Sequence, residues 1–267
     1  MPTGPFRHGV FFYDSPQAYV DGILPFLKDG LESGAPLLVM VPAPNVELLR
    51  DGLGPEGSAV CFADMAEVGR NPARIIPAWH DFLAEHAGNG PLRGVGEPIW
   101  PGRSPAELVE CQSHEALLNL AFASAGAFDL LCPYDAAGLG TEVLEEALRT
   151  HPYRFAQGRA EMTDSWVIGR DSVSPFRAEL PDPPGTRTQL PFGSLELRDV
   201  RGFVGERLAA AGMARGKADD CLLAVHEVAT NSLRHGGGGG LLSAWTEPDR
   251  LVFFLNAALL ARPTFPT

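Results

Sequence analysis

The run PLLVMV, residues 36–41, is apolar at all six positions. A strand with one wetted face alternates apolar and polar side chains, so an unbroken apolar run needs cover on both faces. The segment before it, residues 17–33, carries Tyr19, Val20, Ile23, Leu24, Leu27 and Leu31 at helical spacing. Ser15 and Pro16 supply a cap and a first-turn proline for that helix, and Gly34 ends it. The pattern then repeats. Strands are expected at 9–13, 59–62, 92–99 and 128–133. Helices are expected at 45–53, at 72–86 behind an Asn71 cap, at 105–125 and at 141–150. Strands alternating with helices imply βαβ units and a mostly parallel sheet. Residues 1–170 are therefore expected to form an α/β domain.

Residues 171–190 break the pattern. They are rich in proline and polar residues, and the PDPPG core predicts a stiff, extended linker. A second unit, 191–267, follows. Helices are expected at 199–211 and 217–235, then a glycine run at 236–240. Two antiparallel strands, 241–246 and 250–255, are joined by a turn. This is an α+β order.

Composition narrows the function classes. The formal charge is −12 over 267 residues, and no basic block occurs, which argues against nucleic acid as the main ligand. A hydrophobic share of 45% and a charged share of 20% are those of a soluble globular protein. No apolar stretch approaches the ~20 residues that span a bilayer, and the first residues lack a leader pattern, so no membrane partner and a cytoplasmic location are expected. Cys61, Cys111, Cys132 and Cys221 form no C-x-x-C pair and read as buried free thiols.

In a doubly wound sheet, ligands bind at the carboxyl ends of the strands. His8, Tyr13, Asp14, Glu97, Trp100, Tyr134 and Asp135 flank those ends or their strands and are candidates for one pocket. Trp100 and Tyr134 also fit as core or rim aromatics, and Asp135 as a turn cap. Glu115 and Asn119, four apart on one helix, read as structural polar contacts. His8, His114 and His151 can ligate a metal only if the fold gathers them. No G-x-S-x-G elbow or local triad is present. The motifs RHGVFFYDS, FLKDGLESGAPLLVMVP, GEPIW, HEALLN, LLCPYD and THPY together resemble the MEDS family of sensory domains over residues 6–160. That resemblance implies a sensor related to the RecA/KaiC core. YDSPQAY stands where a phosphate-binding loop would be, so no ATPase activity is expected there.

In the second unit, HEVATNSLRHGGGGG places Glu227 and Asn231 on one helical face. A carboxylate there can polarise a hydroxyl, and an amide oxygen can bind Mg²⁺. A surface polar pair before a glycine cap fits the same letters. The order of elements over residues 188–256 resembles the GHKL ATP-binding fold of histidine kinases and gyrase, closest to its anti-sigma-factor serine/threonine kinase branch. The resemblance implies Glu227 as general base, Asn231 on Mg²⁺, and His235 and Gly236 near the phosphates. ATP and Mg²⁺ follow as cofactors, with an anti-sigma antagonist or sigma factor as protein partner. That family places an aspartate after the hairpin to accept from the adenine amino group. Asn256 and Ala257 stand there instead, a loss of about 1.5–3 kcal/mol, and the unit is expected to be an incomplete ATPase domain. An uncovered sheet edge would favour a homodimer. Three roles remain open: a signalling regulator coupling a sensor to a kinase-like module, an active Mg²⁺·ATP-dependent protein kinase, or a small-molecule α/β enzyme.

Overall fold

The computed structural model describes residues 6–156, 159–167, 186–193 and 196–257. The chain divides into two compact units, 1–178 and 179–267.

The first unit runs β1 (Arg7–Tyr13), α1 (Pro16–Glu32), β2 (Leu37–Val41), α2 (Ala43–Leu53), β3 (Cys61–Asp64), α3 (Met65–Val68), α4 (Ile75–Glu85), β4 (Leu92–Gly96), α5 (Pro105–Ala121), β5 (Phe128–Asp135), α6 (Thr141–Thr150), β6 (Tyr153–Ala156) and β7 (Arg159–Met162). The sheet order is β3-β2-β4-β5-β1-β6-β7. All pairings are parallel except that of β6 with β7. The expected α/β class holds.

The apolar run behaves as its composition requires. All five residues of β2 are buried. Leu38 and Met40 join one core with Trp79 and Phe82 of α4 and Cys111 and Leu118 of α5. Leu37, Val39 and Val41 join the other, with Tyr19, Ile23 and Leu27 of α1 and Leu49 of α2. Strand alternation thus serves two cores at once. The Ser15 side chain accepts from the Ala18 N–H at 3.2 Å and caps α1.

Several boundaries differ from expectation. Asn71 caps a short 3₁₀ turn, Pro72–Arg74, before α4 begins at Ile75. The α5 helix ends at Ala121, four residues early, and Gly126 turns the chain into β5 with φ of 79°. The β6–β7 hairpin has no counterpart in the apolar pattern because all four residues of β7 are exposed. Cys111 and Cys132 are buried, but Cys61 is exposed on edge strand β3 and Cys221 is half-buried, which corrects the uniform expectation.

The second unit contains β8 (Thr188–Gly193), α7 (Leu197–Ala210), α8 (Arg215–His235), β9 (Gly239–Thr246) and β10 (Leu251–Asn256). Its antiparallel sheet has the order β10-β9-β8. Phe192, Val200, Val204, Leu208, Ala229 and Leu242 form its core. β8 begins inside the segment expected to be linker. Most of that segment, including PDPPG, lies outside the described residues, as do residues 258–267. Among the described residues, no helix is long and apolar enough to cross a membrane.

Candidate functional site

The connection after β2 leads outward to β3, while the one after β4 leads the other way to β5. The gap between β2 and β4 is therefore a topological switch point, where a crevice opens at the strands' carboxyl ends. Glu97 directly follows β4 there and is fully buried. Its Oε1 accepts from the Tyr13 hydroxyl at 2.7 Å. Its Oε2 accepts from the Asn45 Nδ2 at 2.7 Å and from the Tyr19 hydroxyl at 3.3 Å. The donors come from the end of β1, the first turn of α2 and the inner face of α1. Burial outweighs these donors and pushes the Glu97 carboxyl up to about 7, and the nearby Asp135 charge adds to the rise. Burial, and then the Glu97 charge, push the Tyr13 hydroxyl well above its ordinary range, so it stays a donor.

A second polar cluster lies on the opposite face of the sheet. His8 of β1, Glu115 of α5, Cys132 of β5 and His151 beyond α6 are all buried. His8 Nε2 lies 3.0 Å from Glu115 Oε2 and 3.3 Å from Cys132 Sγ. His151 Nε2 lies 3.0 Å from the same Glu115 oxygen but is not aligned with it as a donor, and that nitrogen has no hydrogen-bond partner. The His8 and His151 rings sit 4.0 Å apart between centroids. Burial, reinforced by His151, pushes the His8 imidazole down to about 4. Burial alone would raise Glu115, yet the facing histidines hold its carboxyl well below the usual range.

The expected single pocket is thus two sites. His8 and Tyr13 are five residues apart on one strand, so they face opposite ways. Tyr134 lies with the histidine cluster, edge-on to His151 at 5.7 Å. Asp135 caps its turn, accepting from the Ala137 and Gly138 N–H groups at 3.0 Å. Asp14 is exposed. Trp100 packs on the core under the Arg103 guanidinium, 3.8 Å from its ring centroid, and does not join Glu97. Glu115 and Asn119, read as structural polar contacts, hydrogen-bond to His8 within the second cluster. His114 is only marginal to it, with Nε2 3.9 Å from Glu115 Oε1. Tyr19 and Asn45 were missed, although Asn45 sits just past the apolar run, where a strand's carboxyl end must fall.

Residues 7–152 match the family model described as MEDS, the methanogen/methylotroph, DcmR sensory domain. The chain belongs to the MEDS family. No curated protein matches it. Both polar clusters lie within the MEDS match. The element order of the second unit, by contrast, stands on its own geometry.

In that unit Glu227, Asn231 and His235 are exposed along α8. Gly236 caps the helix, its N–H donating to the Ser232 carbonyl at 2.8 Å. A Cβ at Gly236 would lie 2.8 Å from that of Ala257, so close passage of the chain after β10 already demands glycine. Gly237 and Gly238 have φ of 96° and 90°, and Ser232 Oγ ties the turn to the Gly239 carbonyl at 2.7 Å. β10 ends at Asn256, with Ala257 after it.

Proposed function

We propose that this chain is a signalling regulator. Its MEDS domain binds a small organic ligand beside Tyr13, and its second unit passes the bound state to a regulatory protein. The observation that carries the reading is the position of Tyr13. On one side its hydroxyl holds buried Glu97. On the other it lines a groove of about 1110 Å³ between α1 and the β6–β7 hairpin. Phe11, Phe26 and Phe155 give that groove apolar surface, and the neighbouring Arg7–Asp129 and Arg93–Asp29 pairs give it one charged end, at the amino edge of the sheet. Such a lining suits a small molecule with an apolar body and a hydrogen-bonding head. A ligand that captures the Tyr13 hydroxyl removes a donor that lowers the Glu97 pKa. The carboxyl then rises further and takes up a proton near neutral pH.

Thermal-shift screening of small polar and amphiphilic molecules tests this. A binder should lose roughly tenfold in affinity on Tyr13→Phe, the size of one hydrogen bond. Its binding should draw protons from buffer at pH 7. Binders indifferent to Tyr13→Phe would place sensing elsewhere and overturn the reading.

For the second unit, the order β8-α7-α8-β9-β10 and the exposed Glu227–Asn231 pair support a kinase-like module of the anti-sigma type. In it, Glu227 would act as base, Asn231 would hold Mg²⁺, and His235 and Gly236 would lie near phosphates. Asn256–Ala257 favours a protein-binding platform over a working kinase, with a sigma factor or an anti-sigma antagonist as partner. Calorimetric titration of Mg²⁺·ATP with an Asn231→Ala control separates the two. A platform gives no saturable heat. Micromolar binding that the control abolishes makes the module a nucleotide enzyme.

A further inference from the structure

The histidine cluster gathers four side chains that can ligate a metal around one buried point. Asn119 Nδ2 donates to the Thr150 carbonyl at 2.6 Å, which fixes the amide so that its Oδ1 faces His8 Nδ1 at 3.2 Å. His8 therefore carries its proton on Nδ1. His151 Nδ1 lies 2.7 Å from the Ala147 carbonyl, an acceptor, so it too carries the proton there. Both Nε2 atoms then present lone pairs to one oxygen of Glu115, each at 3.0 Å. Three electron-rich atoms this close in a dry interior need a positive charge between them, either a second proton on an imidazole or a metal ion. The tethered Nδ1–H with a free Nε2 is also how ligating histidines are oriented.

The other donors complete a set. Cys132 Sγ is 3.3 Å from His8 Nε2, and the four ligand atoms lie within 4.8 Å of one another. Bonds of about 2.0–2.3 Å to a tetrahedral ion separate its ligands by roughly 3.3–3.8 Å. A central ion would thus widen the shortest contacts and draw in the longest. A divalent cation with one thiolate, one carboxylate and two neutral imidazoles is electrically neutral, as full burial requires. Mixed nitrogen, sulfur and oxygen ligation at four positions suits zinc best.

We propose that His8, Glu115, Cys132 and His151 form a closed, four-ligand site for a divalent transition-metal ion, zinc by preference. Binding releases the Cys132 thiol proton to solvent, with no change of oxidation state. With four buried protein ligands, the ion pins β1, α5, β5 and the end of α6 together and leaves no position for substrate.

The test uses the full chain, reduced and reconstituted. It should retain one equivalent of zinc through gel filtration, with a higher melting temperature than the chelator-treated form. Cobalt in place of zinc should give the intense bands of a four-coordinate ion and a thiolate-to-cobalt charge-transfer band. Cys132→Ser should abolish that band, while Cys61→Ser with Cys221→Ser should keep it. Asn119→Ala, which frees the His8 ring, should weaken zinc by roughly 10–100-fold. No metal retained, or a charge-transfer band that survives Cys132→Ser, overturns the proposal. Should Cys132→Ser fail to fold, the cobalt spectrum of the unsubstituted chain decides: a six-coordinate spectrum without a thiolate band overturns it equally. Glu97→Gln should leave metal content unchanged, so this result is independent of the sensing reading.

Discussion

Glu97 shows what a buried carboxyl does to a protein near neutral pH. Its folded pKa of about 7 lies above the ordinary 4.5. Between those values the folded state holds the proton more tightly than the unfolded chain does. The contribution is therefore fully present below about pH 4.5 and is lost as pH rises towards 7. The loss is about 3 kcal/mol in all. Glu97→Gln should remove this slope: denaturation midpoints from pH 4.5 to 8 should fall less in the variant than in the parent. Parallel curves would mean that Glu97 is ionised throughout. The residue itself was legible in GEPIW, since a glutamate after an apolar strand points to a carboxyl-edge site. Its partner Tyr13 was legible with it, but Tyr19 and Asn45 were not, because the fold brings them to Glu97 from α1 and α2. Glu115 was visible for a different reason that went unused. It stands four residues after Cys111 and three before Leu118, inside a buried stripe, and a charge in such a stripe needs a partner.

Single elements carry their own tests. The cap on α1 rests on the Ser15 oxygen, so Ser15→Ala should cost about 1 kcal/mol by chemical denaturation. β4 accommodates Trp79 by having no side chain at Gly94. A Cβ there would lie 2.6 Å from the indole and 3.0 Å from Leu130. Gly94→Ala should cost about 1–3 kcal/mol, and a neutral result would show that Trp79 can move aside. Elements with strong apolar period, such as α1, β2 and α6, were readable within one or two residues. The β6–β7 hairpin was not. Its strands are short, its second strand is wholly exposed, and it exists because β1 offers β6 an open edge at Gly9 and Val10. Tertiary opportunity of that kind leaves no trace in local periodicity.

At the scale of the whole molecule, two units of different class share one chain, and each has its polar residues placed for separate work. If the second is a binding platform, Glu227→Ala and Asn231→Ala should leave its affinity for a protein partner within about twofold, since both are exposed and remote from its core. A pull-down or calorimetric comparison checks this, and loss of binding with unchanged circular dichroism would make the pair part of the recognition surface. The strand that comes first in the MEDS domain has a further consequence. β1 lies between β5 and β6, and Arg7 is matched with Asp129 across the ladder. During synthesis, its aromatic segment therefore waits unpaired until more than a hundred further residues have emerged. β1 cannot take its place in the sheet before β5 has been made. Pairing of β1 with β5 and β6 joins segments far apart in sequence, and contacts of such separation make folding slower than local ones do.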